Sequence, residues 1–173
     1  TEHIIIATDN VTSLIFDTQY PHYRVEASYR PLLPEKFNSA YHSVKTRKEV
    51  LLIFAHRWVY VLEQLKAGYH VLITDVDNIF SKYHPMSVLE SSPYDAFHAL
   101  ECHYPADVFN ATGFVVCGGM GWFRSSRTSI HFVQTLVDRC GILCDDQVLL
   151  NQLLAYDMGM NWNLTDWHKS MLT

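Results

Sequence analysis

Between Val50 and Asp77 the chain carries a pattern that few folds accommodate. Val50, Leu51, Phe54, Trp58, Val61, Leu62 and Leu65 recur at three- and four-residue steps. That spacing is one apolar stripe of a long helix beginning near Ser43. Lys66 falls in its last turn and Gly68 stands where a helix cap is needed. A short β-branched run follows at once, Tyr69 to Thr74, and ends in Asp75-Val76-Asp77. A helix, a glycine and a buried strand with carboxylates at its carboxyl end form an α/β signature. In open α/β sheets, ligands bind outside such carboxyl ends.

The remaining segments fit that class. His3 to Ala7 reads as an opening buried strand. Tyr20 to Asn38 contains Pro21, Pro31 and Pro34 and reads as mostly loop, with a short strand near Arg24 to Tyr29. Tyr94 to Leu100 and Gly113 to Cys117 read as strands, with a further one at Trp122 to Arg124. Helices are expected from Arg127 to Arg139, with Ile130, Val133, Leu136 and Val137 on one face, and from Asp145 through Leu154. Acidic residues at Asp145 and Asp146 suit a helix N-terminus. No repeat or low-complexity tract interrupts the chain, so residues 1–173 are read as one α/β sandwich domain with a mostly parallel, fully covered sheet.

Composition narrows the function classes. With 49% hydrophobic and 18% charged residues, the 173-residue chain is not an intrinsically disordered one. Thirteen Lys and Arg against 18 Asp and Glu give a net charge of −5, and the longest basic run is Lys45-Thr46-Arg47-Lys48. A general binder of nucleic acid or of anionic membranes is not expected from that balance. No apolar run approaches the roughly 18 residues that span a bilayer, and the opening at Thr1 suggests an excised or truncated domain. Cys102, Cys117, Cys140 and Cys144 form no CxxC pair and no zinc spacing. Cys140 and Cys144 could bridge in a secretory compartment, though spacing alone does not show it. Sequons at Asn10, Asn110 and Asn163 lean the same way. Asn110 leads toward the Gly113 strand and is expected to be inaccessible to glycosylation.

Three constellations bear chemistry. In extended backbone Asp75 and Asp77 point to the same side, and two carboxylates are what Mn²⁺ or Mg²⁺ takes, with phosphate oxygens and water completing the shell. Eleven Asp residues produce roughly 0.7 Asp-x-Asp triplets by chance, so placement behind a buried strand is what lifts this one above a solvated turn. On a helix Asp146, Gln147 and Asn151 share a neighbourhood, which spacing alone divides evenly between a site and an ordinary acidic first turn. The glycines of Cys117-Gly118-Gly119-Met120-Gly121 imply a bulge, a close approach of backbone to ligand, or a tight hairpin.

Taken together, LEQLKAGYHVLITDVDNIF, CGGMGWFRSS and CDDQVLLNQLL resemble the nucleotide-diphospho-sugar transferase family over roughly Arg57 to Leu154. That family includes glycosyltransferase family 77 and has a distant likeness to the glycogenin-type enzymes. The resemblance implies a GT-A fold, a Rossmann-like α/β/α sandwich. It also implies metal-dependent, retaining transfer of a sugar from a nucleotide-sugar donor, usually a UDP-sugar, to a glycan or glycoprotein. By position, Asp75 and Asp77 match the DxD pair that holds Mn²⁺ or Mg²⁺, with Asp75 nearer the nucleotide. Arg57 stands where the family carries a basic residue that meets the donor, Gly119 matches a glycine beside the donor site, and Asn151 matches its Asn. Asp146 and Gln147 match the pair facing the donor sugar. His168 is a candidate for the His that completes the metal shell in related enzymes. The likeness and the sequons together suggest a parent protein in the Golgi lumen whose membrane anchor lies outside this chain. A haloacid dehalogenase-type phosphatase and a non-catalytic nucleotide- or glycan-binding domain are the alternatives.

Overall fold

The apolar stripe ending at Leu65 belongs to a 22-residue helix, α1 (Lys45–Lys66). Trp58, Val61, Leu62 and Leu65 are its buried residues within the core. Gly68, at φ +94°, turns the chain out of that helix, and its N–H donates to the Leu65 carbonyl at 3.1 Å. The computed structural model describes residues 4–7, 18–19, 24–27, 45–75, 86–101, 103–141 and 144–157. The chain divides into two units, residues 1–53 and 54–173. In the first, β1 (Ile4–Ala7) and β2 (Arg24–Ala27) pair in parallel, Ile4 opposite Arg24 and Ala7 opposite Ala27.

The second unit holds β3 (Val71–Thr74), α2 (Met86–Ser91), β4 (Ala96–Glu101), α3 (Ala106–Thr112), β5 (Val115–Phe123), α4 (Arg127–Cys140) and α5 (Asp146–Gln152). Leu153–Asp157 extends α5 as one π-helical turn. The sheet order is β3-β5-β4, and both outer strands are antiparallel to β5. Among the described residues, parallel pairing is therefore confined to β1 and β2, and the expected mostly parallel sheet is not what these strands form. The physical reason lies in β5, which is buried along most of its length. Burial on both faces gives a continuous apolar run whichever way the neighbours point, so such a run does not report strand direction.

β5 also replaces the two short strands read at Gly113 to Cys117 and Trp122 to Arg124. The glycine run between them is neither hairpin nor break. It lies inside one nine-residue strand whose pairing with β4 slips between His98 and Leu100. Short helices α2 and α3 have no counterpart in the sequence reading, being too brief to show a period. Asn110 is exposed on α3 rather than hidden in a strand, which removes the expected reason for its inaccessibility.

Trp58, Leu65, Phe123, Phe132, Val133, Leu136, Leu150 and Leu153 form a continuous core. Trp58 meets Phe123 edge-on at 5.8 Å, and Phe132 stacks on the same ring at 6.3 Å. α1, α4 and α5 are thereby packed onto the sheet, and the carboxyl end of β3 opens beside the start of α5. Among the described residues no helix is long and apolar enough to cross a membrane.

Candidate functional site

Asp75 follows directly on β3, and its backbone N–H continues the ladder by donating to the Gly119 carbonyl at 2.8 Å. The Asp75 side chain lies over Gly119. A Cβ on Gly119 would fall 2.0 Å from Asp75 Oδ2, so only glycine lets the carboxylate rest there. The close approach expected of the glycine run is thus between two parts of the chain itself.

Arg57 reaches the same place from α1. Its Nη1 donates to Asp75 Oδ1 at 2.9 Å and its Nη2 to Asp146 Oδ2 at 2.5 Å. One guanidinium spans the exposed carboxylate behind β3 and the buried carboxylate that opens α5. The two differ in environment: the Asp75 side chain is 51% exposed, that of Asp146 2%. Water screens the first pair, whereas the second is held in place by burial and by a further donor, Trp58 Nε1–H, at 2.8 Å from the same Asp146 oxygen. Arg57 also lies over the Phe54 ring, 5.0 Å from its centroid.

Gln147 and Asn151 bond to backbone. Gln147 Oε1 accepts from Gly118 N–H at 2.6 Å, and its Nε2 donates to the Val116 and Tyr104 carbonyls at 2.6 and 3.0 Å. Asn151 Oδ1 accepts from Val116 N–H at 2.7 Å, while Nδ2 donates to the carbonyls of Val116 and Gln147 at 2.9 and 2.8 Å. Asp145 caps α5 through Val148 N–H at 3.2 Å and accepts the Tyr104 hydroxyl at 2.8 Å. Cys140 and Cys144 form a disulfide that ties the end of α4 to the residue preceding that cap.

Arg57, Asp75, Gly119, Asp146, Gln147 and Asn151, all singled out in the sequence, are therefore brought together. Asp77 and His168 lie outside the described residues. Trp58 and Tyr104 are the participants that sequence reasoning missed. Trp58 belongs to the apolar stripe, where periodicity reports its ring and not its indole N–H. Tyr104 acts on Gln147 through its carbonyl, which no side-chain pattern encodes, and on Asp145 through its hydroxyl.

Among the described residues no three His, Cys, Asp or Glu side chains gather closely enough to hold a metal ion. Asp75 is nonetheless suited to one. It offers hard carboxylate oxygens at the end of a strand, open to solvent, which matches the donor preference of Mn²⁺ or Mg²⁺. Nearby titratable groups are set by burial. His98, on β4, is pushed down to about 4 by desolvation, opposed by its contact with the Cys117 carbonyl. Burial raises the Cys117 thiol, with Glu101 adding to the effect, so this cysteine is no thiolate nucleophile near neutrality.

No curated protein and no solved structure matches the chain. The sequence profile of one family does, over residues 1–167, nearly the whole length and well beyond the segment that carries the motifs. On that match the chain belongs to the nucleotide-diphospho-sugar transferase family, whose partner is a nucleotide-sugar donor.

Proposed function

We propose that the protein is a metal-dependent glycosyltransferase of GT-A type. It moves a sugar from a UDP-sugar to a glycan or glycoprotein with retention of anomeric configuration, in the manner of glycosyltransferase family 77. The observation that carries this reading is the convergence of Asp75, Gly119, Arg57 and Asp146, in which one cation bridges a solvent-open and a buried carboxylate. Breaking a sugar–diphosphate bond leaves negative charge on the departing diphosphate and positive character on the sugar. Arg57 supplies positive charge for the first and Asp146 a fixed negative charge for the second. Asp75 and Asp77 would hold a divalent ion, which would supply Lewis-acid chemistry toward the diphosphate. A lumenal, oxidising compartment such as the Golgi is supported by the Cys140–Cys144 disulfide and the three sequons.

The test is a thermal-shift screen of UDP and UDP-sugars with and without Mn²⁺. At a hundredfold excess over its dissociation constant a ligand stabilises the fold by about 2.7 kcal/mol, or roughly 5–10 °C for a chain of this size. Asp77→Asn is expected to remove the Mn²⁺-dependent shift without lowering the unliganded melting temperature. Absence of any nucleotide-dependent shift from the wild-type protein would refute the reading. A shift from donors that are never turned over, by a chain extended at both ends, would leave a binding domain only.

A further inference from the structure

The resemblance aims Gln147 at the donor sugar, but its carboxamide has other partners. A primary carboxamide holds two N–H donors. In Gln147 both are spent, on the Val116 and Tyr104 carbonyls, while Oε1 accepts from Gly118 N–H. In Asn151, 3% exposed, both donors go to the Val116 and Gln147 carbonyls, and Oδ1 takes Val116 N–H. Neither residue has an N–H left for a sugar hydroxyl.

Their partners share one stretch of β5. On one edge β3 reaches only Met120, with the Asp75 N–H adding Gly119. On the other, β4 pairs Leu100 with Val116 and then slips to His98–Gly121, so no described strand takes up the Val116 and Gly118 groups that the carboxamides bind. A carboxamide presents C=O and N–H side by side as a peptide unit does. Asn151 exchanges two hydrogen bonds with Val116, the pattern of a paired residue in an antiparallel sheet.

We infer that Gln147 and Asn151 are positioning residues that stand in for a neighbouring strand along Val116–Gly118, and so hold the Gly118–Gly119 backbone against Asp75. The coupling is direct: the next carbonyl, of Gly119, receives the Asp75 N–H, and the Gly119 Cα supports the Asp75 carboxylate. Loss of either carboxamide then disturbs the nucleotide- and metal-binding half of the site, not sugar recognition alone. That consequence rests on the proposed donor site, whereas the strand-replacing role does not.

Two measurements test the inference and separate it from the functional reading. The first is amide exchange at Gly118 in the protein free of ligand. Gln147→Met keeps the volume at a half-buried position and removes every hydrogen bond, and it is expected to speed that exchange about tenfold or more. Asn151→Leu is expected to do the same at Val116, and if this buried substitution fails to fold, Gln147→Met decides the question alone. The second is titration with UDP and with UDP-glucose in Mn²⁺. Gln147→Met is expected to weaken both by the same factor of about ten, leaving their ratio unchanged. Wild-type exchange at Gly118 in the variant overturns the inference whatever the binding shows. Faster exchange with untouched UDP affinity overturns the link to Asp75, and selective loss of UDP-glucose returns Gln147 to the sugar. If wild-type protein binds neither nucleotide, the functional reading fails while the exchange measurement still decides this one.

Discussion

A single methyl group separates two kinds of glycine in β5. At Gly119 an added Cβ meets the Asp75 carboxylate at 2.0 Å, and at Gly121 it meets the His98 ring at 2.7 Å. Neither glycine has a positive φ, so alanine is admissible to the backbone and only the neighbours decide its cost. Asp75 is half exposed and can swing away, which makes Gly119→Ala mild for stability, about 1 kcal/mol, yet damaging to the site. Mn²⁺-dependent UDP affinity, measured by titration, is expected to fall about tenfold or more once the carboxylate leaves its seat. Affinity at the wild-type level in Gly119→Ala would detach Asp75 from the donor site. At this scale the sequence picked out Asp75 by its place behind a strand, Asp146 by helix spacing and family likeness, and Arg57 and Gly119 by the likeness alone. The structure brings these four side by side. The site was illegible for Tyr104, whose carbonyl any residue possesses, and for Gln147, whose family likeness pointed to a sugar while its bonds run to backbone.

Among the elements, α5 matters most because it is short and yet carries Asp146, Gln147 and Asn151. Seven residues cannot sustain a helix by propensity, so its start must be held from outside. Three devices hold it: the Asp145 cap, the Tyr104 hydroxyl on the same carboxylate, and the disulfide from Cys140 to Cys144. Closing a loop this small removes about 2 kcal/mol of unfolded-state entropy. Reduction with dithiothreitol, or Cys144→Ser, is therefore expected to lower the melting temperature by roughly 4–8 °C, with no additional effect of the reductant on the variant. An unchanged melting temperature for reduced wild-type protein would show that α5 is held by the cap and core alone. The sequence left the disulfide open for the same reason it misread β5. A cysteine spacing of four and a glycine-rich strand each suit several local geometries. The choice is made by what packs beside them: here a buried Cys140 at the end of α4 and side chains that complete the ladder. Helices α1, α4 and α5 were legible because a period of 3.6 residues, a cap and an apolar face agree along their length.

For the molecule as a whole, stability should follow the protonation of one half-buried histidine, His98. His98 lies between Gly121 and Phe123, its ring meeting Phe123 edge-on at 5.1 Å, and its Nε2 is buried without a hydrogen-bond partner among the described residues. The Nδ1 nitrogen lies 3.3 Å from the Cys117 carbonyl, so the neutral ring carries its proton there. Charging the ring would place a cation whose Nε2 is sealed from solvent, with one oxygen to receive it at Nδ1, which is why desolvation pushes the group down to about 4 from an ordinary 6.5. The sign follows from proton counts. Between those two values the unfolded chain binds a proton at this position and the folded chain does not, so stability falls as pH falls. Full stability is retained above pH 6.5, the slope approaches about 1.4 kcal/mol per pH unit between 6.5 and 4, and it levels off below 4. The loss totals roughly 3 kcal/mol, enough to matter for a domain whose whole stability is of order 10 kcal/mol. His98→Phe keeps a ring in the space left by Gly121 and cannot titrate. The difference between wild-type and His98→Phe unfolding free energies, measured by urea denaturation from pH 7.5 to 4, isolates this histidine from the carboxylates that titrate below it. The wild-type curve is expected to fall more steeply than the variant's through that window, and parallel curves would mean that His98 takes up its proton equally in the folded and the unfolded chain.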